Sequence, residues 1–268
     1  IGSYFAKHSH RKYSLRLMVH DCDDAQKCKS LKRFGEVAYG DVTNLNRMKQ
    51  ICEEIDTVLH LAGDPSPSAT WDSLLQANII GAYNTLVAAR AMNCRRLIYA
   101  SSIHAVSGYP SDVQVKSNDP VNPGDLYGVS KCFGEALARY MAEKEGLSCI
   151  VLRIGAFQPR EAAQTAGGMG MLDAWVSQRD MNQLIEKSID TEGLQFAILH
   201  GLSDNRFKRM DITSARELVG YVPQDDLMQA NPKLRKLQLG KIVPAHSVSD
   251  GRQKSGIRKE LGGRSKNT

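Results

Sequence analysis

The sequence of 268 residues predicts an α/β fold in which helices cover a doubly wound parallel sheet. Two observations lead to this prediction. Up to about residue 155, short runs rich in Val, Ile and Leu alternate with longer segments of helical period. Hydrophobic residues make up 42% of the chain and charged residues 24%, which is typical of a globular protein with a full core.

Five apolar runs are predicted as strands, and longer segments between them as helices. The strands cover 15–19, 36–40, 57–63, 96–102 and 148–155. The clearest helices cover 73–92 and 127–145. The sequence shows no internal repeat and no obvious linker before residue 231.

We therefore predict one domain over residues 1–230, of which about 156–230 form a small substrate-binding region. Residues 231–268 contain ten Lys and Arg but only two Asp and Glu, so the positive charge of the chain is concentrated there. This segment is rich in Gly and Ser and has no aromatic residues for stacking on bases. We expect a basic, solvated tail and no nucleic-acid partner.

The composition also argues against a membrane protein and a disulfide-rich secreted protein. No run of eighteen apolar residues occurs, and the first residues lack the pattern of a signal peptide. The six cysteines are spread without any C-x-x-C pair, which argues against a zinc site. We expect reduced thiols in a cytoplasmic protein without a metal.

The start of the chain has features of a dinucleotide site. A Rossmann-type domain begins with a strand, a Gly-rich turn and a helix, whereas here Gly2 is followed directly by a helical segment. If Gly2 is the last glycine of G-x-x-G-x-x-G, the first strand and most of the Gly-rich loop lie upstream of residue 1. An ordinary Gly at a helix start is the alternative.

Three strand ends could contact a dinucleotide. Asp21 stands where a carboxylate accepts hydrogen bonds from both ribose hydroxyls and repels the 2′-phosphate of NADP, so NAD is favoured. A loop Asp after a strand is the simpler alternative. Asp41 either contacts the adenine or starts a turn. Leu61, Ala62 and Gly63 either allow the cofactor to approach the backbone closely or form a tight turn.

The sequence contains the pattern Tyr-x-x-x-Lys twice, as Tyr127 with Lys131 and as Tyr140 with Lys144. Tyr140 falls in the apolar stripe of its helix, with Phe133, Ala136, Leu137 and Met141, so we predict a core residue whose Lys144 reaches solvent. Tyr127 and Lys131 lie one turn apart on a different face, after a turn in which Asp125 can cap the helix. We predict that the first pair lines a cleft.

A Tyr–Lys pair of this kind can remove a proton from an alcohol. A phenol has an ordinary pKa of about 10, and an ammonium one turn away stabilises its phenolate and can hold the nicotinamide ribose. The phenolate then takes the proton of the substrate hydroxyl as the hydride leaves. Ser101 and Ser102 end the fourth strand, where one could fix the substrate hydroxyl or simply cap the strand end.

Longer stretches around these residues resemble the extended short-chain dehydrogenase/reductases, the NAD-dependent epimerase/dehydratase family, and within it the uronate dehydrogenases. The resemblance spans nearly the whole chain except the tail. The stretches are VLHLAGDPSPSATWDSLLQANIIGAYN (58–84), RLIYASSIHAVSGYP (96–110), LYGVSKCFGEALAR (126–139), LRIGAF (152–157), MLDAWVSQRDMNQLIE (171–186), HGLSDN (200–205) and ARELVGYVPQDD (215–226).

This resemblance implies an NAD-dependent enzyme in which Tyr127 is the base, Lys131 its partner and Ser102 the hydroxyl that holds the substrate. Residues implied to bind NAD are Gly2, Asp21, Asp41, Val42, Leu61, Ala62, Gly63, Asn78 and Lys131. Residues implied to contact substrate are Ser66, Ser102, Ile103 and His104.

Three positions depart from the uronate dehydrogenases. Ile103 stands where they carry Asn, and Ala156 stands where they carry Ser. Gly170 replaces an Arg that pairs with the substrate carboxylate, which removes a bidentate, charge-assisted contact. Arg160 or Arg179 could take the place of that Arg, or both could be surface charges.

Three functions remain open from the sequence. The first is an NAD-dependent oxidoreductase acting on a hydroxyl of a monosaccharide or sugar acid, since only about 75 residues separate Gly155 from the tail, too few for a large nucleotide-sugar domain. The second is an NAD-dependent sugar epimerase or dehydratase. The third is a non-catalytic dinucleotide-binding protein. This function is suggested by Ile103 and Gly170, which replace the Asn and the Arg of the uronate dehydrogenases. The resemblance also implies a homodimer formed through helices 73–92 and 127–145.

Overall fold

A computed structural model describes residues 1–20 and 25–231 of the chain. Asp21 and residues 232–268, which are nearly all of the expected tail, lie outside the described residues. Within them, every strand pair is parallel, as predicted. The strands are β1 (Arg16–Val19), β2 (Glu36–Tyr39), β3 (Thr57–His60), β4 (Arg96–Ser102), β5 (Ser148–Ile154), β6 (Ala156–Phe157), β7 (Trp175–Val176) and β8 (Phe196–Gly201).

The central sheet has the order β3-β4-β5-β8, while β1 pairs with β2 and β6 pairs with β7. All seven residues of β4 and all seven of β5 are buried, because helices cover both faces. The register aligns Ser102 with Ile154, and Ile154 with Gly201, so neighbouring strands end together at one edge. This edge carries the site described below.

Helices follow the strands in the alternation predicted from the sequence. They are α1 (Gly2–Ser9), α2 (Ala25–Leu31), α3 (Leu45–Cys52), α4 (Trp71–Leu74), α5 (Gly81–Ala91), α6 (Leu126–Glu143), α7 (Gln178–Asp190), α8 (Thr213–Val219) and α9 (Leu227–Ala230). None of these helices is both long and apolar enough to cross a membrane.

The two faces of the central sheet form separate apolar cores. Along β4, Leu97 and Tyr99 pack against α3, α5 and α6, whereas Ile98 and Ala100 pack against α1, α7 and α8. Successive side chains of a strand point to opposite faces, so one strand contributes to both cores. The predicted α/β fold, with helices flanking a parallel sheet, is therefore confirmed.

The predicted helix at 73–92 is interrupted. It begins as α4, continues as one π-helical segment over Leu75–Ile80 and returns to α-helix at Gly81. A π segment inserts one residue into the backbone ladder and is often found at functional sites. Here it contains Asn78, which is buried and faces the edge of the sheet.

The prediction that Tyr140 is a core residue was wrong. Tyr140 is 51% exposed and donates a hydrogen bond to the Glu145 carboxylate, and Phe133 is also exposed. The buried face of α6 instead contains small and polar residues, among them Gly134 and Glu135. A Cβ at Gly134 would lie 2.1 Å from the Tyr99 ring, so α6 approaches the sheet too closely for a large apolar side chain there. Lys144 is exposed, as predicted.

The region after β5 is built from short elements. β6 pairs with β7, and two 3-10 turns, Arg160–Gln164 and Ala166–Met171, lie between them. Trp175 is fully buried against this region and α9, and its indole donates to the Gln158 carbonyl. The segment therefore packs as a small layer beside the end of the sheet.

Candidate active site

Helix α6 places Tyr127 and Lys131 against the end of the central sheet. Asp125 is the N-cap of α6, and its Oδ1 accepts a hydrogen bond from the Gly128 backbone N–H at 2.7 Å. Tyr127 and Lys131 follow in the first two turns, and both side chains are buried. The capped start of the helix thus fixes where the two side chains stand.

The two side chains lie close together without stacking. Lys131 Nζ is 5.6 Å from the centre of the Tyr127 ring and donates a hydrogen bond of 2.9 Å to the Ala100 carbonyl on β4. Burial lowers the pKa of the Lys131 ammonium to about 8. This ammonium is therefore charged at neutral pH and held by the sheet.

Ser102 lies next to the Tyr127 phenol. Burial raises the pKa of Tyr127, the neighbouring Ser102 hydroxyl lowers it, and the carboxylates of Asp125 and Asp64 raise it. The sequence suggested that Lys131 would be the main group stabilising the phenolate, whereas in the structure the group that lowers the pKa of the phenol is Ser102. The structure therefore brings together all three residues that were predicted to be catalytic, Tyr127, Lys131 and Ser102.

Gly63 lies where these groups meet the end of β3. Its φ is +152°, and a Cβ built on it would lie 2.9 Å from Asn78 Oδ1 and 3.5 Å from Lys131 Nζ. A side chain at this position would collide with Asn78. Glycine therefore lets the backbone at the end of β3 pass close to both Asn78 and the Lys131 ammonium.

Asn78 joins the π segment to this edge. Its Oδ1 accepts from the Asp64 backbone N–H at 2.7 Å, and its Nδ2 donates to the Asp64 carbonyl and to Ser130 Oγ. Ser130 in turn donates to the Tyr127 carbonyl. Asn78 thus connects the turn after Gly63 to helix α6.

His104 stands on the other side of Tyr127. It lies on the 3-10 turn Ile103–Val106, which follows β4 and has Ser102 as its N-cap. The His104 ring is edge-on to the Tyr127 ring, with 5.4 Å between ring centres, and His104 Nδ1 lies 2.6 Å from Asp125 Oδ2. The sequence located His104 at the site but gave no sign of its carboxylate partner, which is 21 positions away.

A buried ion pair supports the floor of the site. Glu135 accepts two hydrogen bonds from the Arg153 guanidinium, at 2.8 and 2.9 Å, and one from Ser101 Oγ at 2.5 Å. These three residues come from α6, β5 and β4, so the pair fixes the helix relative to the strands. We did not single out Glu135 or Arg153 from the sequence, because two opposite charges 18 positions apart carry no local signal.

The residues expected at the adenosine end lie along other strand ends. A Cβ at Gly2, the first residue of α1, would contact Leu61 beyond β3 at 3.3 Å. Asp41 follows β2, and the Thr43 backbone N–H lowers the pKa of its carboxylate, with a smaller contribution from His20. Val42 is close to Gly81 at the start of α5 and accepts from Asn84 through its carbonyl.

Two of the residues expected to contact the substrate differ in burial: Ser66 is partly exposed, and Ile103 is buried. Ser66 lies on the turn after Gly63 and its hydroxyl is 3.0 Å from that of Ser68. Ile103 is buried in an apolar cluster with Val106 and Leu202. Its side chain therefore packs inside the protein.

The two candidate replacements for the missing Arg are both on the surface. Arg179 is about half exposed and forms a 2.9 Å ion pair with Asp225. Arg160 is exposed at the start of its 3-10 turn. The structure thus favours surface positions for both cations over a place beside Tyr127.

The family model described as "NAD dependent epimerase/dehydratase family" matches residues 1–189. An NAD-dependent glucose-6-phosphate dehydrogenase of Haloferax volcanii is 32% identical over 84% of this chain and 90% of that protein. A uronate dehydrogenase of Pseudomonas putida is 33% identical over 71% of this chain and 68% of that protein. Among solved structures, a mutated uronate dehydrogenase is 27% identical, with a TM-score of 0.82 over 97% of this chain and 93% of that one.

Proposed function

Because this chain belongs to the NAD dependent epimerase/dehydratase family, we propose that it is an NAD-dependent oxidoreductase that oxidises a hydroxyl of a monosaccharide or sugar acid. Relatives that are 32–34% identical to this chain are sugar dehydrogenases, which supports this reaction over epimerisation. The observation that carries the proposal is the meeting of Tyr127, Ser102 and Lys131 in front of Gly63.

In the proposed mechanism, Tyr127 is the general base. Its oxygen accepts the proton of the substrate hydroxyl. The carbon that carries this hydroxyl loses a hydride and becomes a carbonyl carbon. NAD, when bound, supplies the hydride acceptor. Ser102 holds the substrate hydroxyl beside the phenol. The Lys131 ammonium provides a positive charge 5.6 Å from the centre of the Tyr127 ring.

The NAD site of this proposal follows the strand ends. Gly63, Lys131 and Asn78 form the nicotinamide end, where glycine lets the backbone lie close to the Lys131 ammonium. Asp41 and Val42 lie toward the adenosine end, with Gly2 and Leu61 between the two ends. Asp21 belongs to the same proposal as the ribose ligand that favours NAD over NADP.

The substrate side of the proposal consists of Ser66, Ser102 and His104, with residues about 156–230 as the cap over them. Ile103 is packed in an apolar cluster, so it acts on the substrate only by shaping the turn that carries His104. Arg179 already pairs with Asp225. A free sugar or a small sugar acid fits such a short cap better than a nucleotide sugar.

We also propose that the protein is a homodimer in the cytoplasm. Helices α5 and α6 expose large apolar side chains to solvent, which supports pairing of these helices between two copies. The residues are Tyr83, Val129, Phe133 and Tyr140. The described cysteines, Cys28, Cys52, Cys94, Cys132 and Cys149, are free thiols, which supports a reducing compartment.

The experiment that tests the reaction is NADH formation from NAD by the full-length protein, with a panel of neutral aldoses and uronic acids. We expect NADH to accumulate in proportion to the sugar consumed. Conversion of sugar without net NADH would instead identify an epimerase. NAD binding without conversion of any sugar would contradict both enzyme functions.

A further inference from the structure

The buried Asp125 makes two different contacts. Its Oδ1 caps helix α6 through the Gly128 backbone, and its Oδ2 lies 2.6 Å from His104 Nδ1. The Asp125 side chain is 1% exposed and that of His104 is 15% exposed. A carboxylate removed from water needs partners for both oxygens, and here each oxygen has one.

The cap and the His104 turn are packed against each other. A Cβ at Gly128 would lie 2.2 Å from the His104 carbonyl oxygen, so only glycine allows α6 to start this close to the turn. Ser107 Oγ also connects the two segments, accepting from the Gly124 N–H and donating to the His104 carbonyl. The position of His104 is thus fixed relative to the start of the helix that carries Tyr127.

The Asp125 contact determines which ring nitrogen of His104 carries a proton. An ionised carboxylate only accepts hydrogen bonds, so His104 Nδ1 is the donor. Nε2, at the opposite side of the ring, then accepts a hydrogen bond when the ring is neutral and donates one when it is charged. The ring stands edge-on to the Tyr127 ring, with 5.4 Å between ring centres, so a sugar bound at Tyr127 in the proposed function would have His104 as a neighbour.

We propose that Asp125 is a positioning residue that holds His104 in the Nδ1–H tautomer, so that His104 Nε2 binds a hydroxyl of the sugar substrate. Asp125 itself does not touch the substrate. This inference rests on the proposed function, because it needs a sugar beside Tyr127. Its alternative is that Asp125 only caps helix α6.

Kinetics of three variants separate the two roles. Asp125→Asn keeps the shape and a capping oxygen, and Asp125→Ser keeps a capping hydroxyl, since Asn and Ser are among the best N-caps. We expect both to keep the melting temperature nearly unchanged, to raise the KM for the sugar about tenfold or more and to change kcat less than about threefold. The Kd for NAD is expected to stay the same.

The third variant tests whether Asp125 acts through His104. In His104→Gln protein, we expect adding Asp125→Asn to change KM less than about twofold, since the residue being positioned is already gone. If Asp125→Asn raises KM equally in both backgrounds, or leaves it unchanged in the wild type, the proposal is overturned.

A spectroscopic measurement decides the tautomer without any turnover. The ¹⁵N shifts of the His104 ring in the free enzyme are expected to show the proton on Nδ1, and Asp125→Asn, whose amide can donate, is expected to move it to Nε2. A wild-type ring with its proton on Nε2 would overturn the inference. If no sugar yields NADH, the proposed function fails instead, and the spectrum still decides whether Asp125 sets the tautomer.

Discussion

Lys131 Nζ donates a hydrogen bond to the Ala100 carbonyl and lies 5.6 Å from the centre of the Tyr127 ring. The ammonium is therefore anchored to strand β4, while the Ser102 hydroxyl lowers the pKa of the phenol. This division separates the roles of the two neighbours. Ser102 lowers the pKa of the phenol, and Lys131 supplies a positive charge that is held at the end of β4.

We expect Ser102→Ala to move the acid limb of the pH profile of kcat/KM to higher pH. If Tyr127 acts as a phenolate, activity rises as pH passes its pKa. The Ser102 hydroxyl lowers that pKa, whereas burial, Asp125 and Asp64 raise it. Asp64→Asn removes a charge that raises the same pKa, so its limb moves to lower pH. Ser117→Ala, which loses only a hydroxyl contact with Ser214, is the control.

A shift of the acid limb in the same direction for Ser102→Ala and Asp64→Asn would contradict this assignment. The other charged or titratable groups around the phenol are Asp125, His104 and Lys131, which both variants leave in place.

Gly63→Ala is expected to weaken NAD binding at least tenfold. The added Cβ would lie 2.9 Å from Asn78 Oδ1, with Lys131 Nζ 3.5 Å away, and would occupy the space proposed for the nicotinamide. Gly193→Ala is the matched control, since Gly193 also has a positive φ but a Cβ there meets no atom within 4 Å. Titration with NAD measures both, and equal losses of affinity would show that backbone strain alone is responsible.

Glu135→Gln is expected to destabilise the fold by about 3–5 kcal/mol, because it leaves the fully buried Arg153 charge without its carboxylate. Glu143→Gln breaks the exposed ion pair with Arg139 on the same helix, and we expect it to lower the free energy of unfolding by about 0.5 kcal/mol or less. Urea unfolding of the two variants gives the comparison. Similar losses would mean that the buried pair contributes no more than a surface pair.

Stability is expected to fall as the pH drops from about 6.5 toward 4. Burial lowers the pKa of His60 to about 3, with Lys131 adding to the effect, and burial lowers that of His200 to about 4, with Arg153 adding to it. Below pH 6.5 the unfolded chain binds protons at both rings while the folded chain does not, so unfolding is favoured by up to about 1.4 kcal/mol per pH unit for each ring.

The contribution of His60 to this loss of stability at low pH is tested with His60→Phe, which keeps an aromatic ring next to Tyr99 but cannot be protonated. Its unfolding free energy should depend on pH less steeply, by about one proton between pH 4 and 6. An unchanged slope would mean that His60 does not contribute to acid sensitivity.

The sequence predicted the parallel arrangement, the helix that carries Tyr127 and, to within three residues at each end, five of the six described strands that have four or more residues. It missed β8, which lies beside β5 in the central sheet. The predicted elements follow from apolar runs and from local turn residues such as Asp125, which was identified as a cap. The sequence did not predict the π segment around Asn78, because a one-residue insertion in a helix leaves no clear periodicity. It also misplaced Tyr140, since apolar spacing alone indicated a core residue.

Contacts between distant positions explain what else was missed. Glu135 faces Arg153 and Asp125 faces His104 only after strands and helices are packed, so no spacing rule along the chain connects them. By contrast, Tyr127, Lys131 and Ser102 could be chosen because each stands at a strand end or a helix start. The approach of α6 to Tyr99, which requires Gly134, then decides which side chains of the helix are buried.

The most direct test of the account compares Tyr127→Phe with Tyr140→Phe, since each belongs to a Tyr-x-x-x-Lys pair and only Tyr127 lies at the end of the sheet. NADH formation from NAD and the panel of sugars would be measured together with the Kd for NAD. We expect Tyr127→Phe to lose at least about a thousandfold in turnover with little change in NAD affinity, and Tyr140→Phe to retain full turnover. Preserved turnover in Tyr127→Phe would contradict the assignment of Tyr127 as the base.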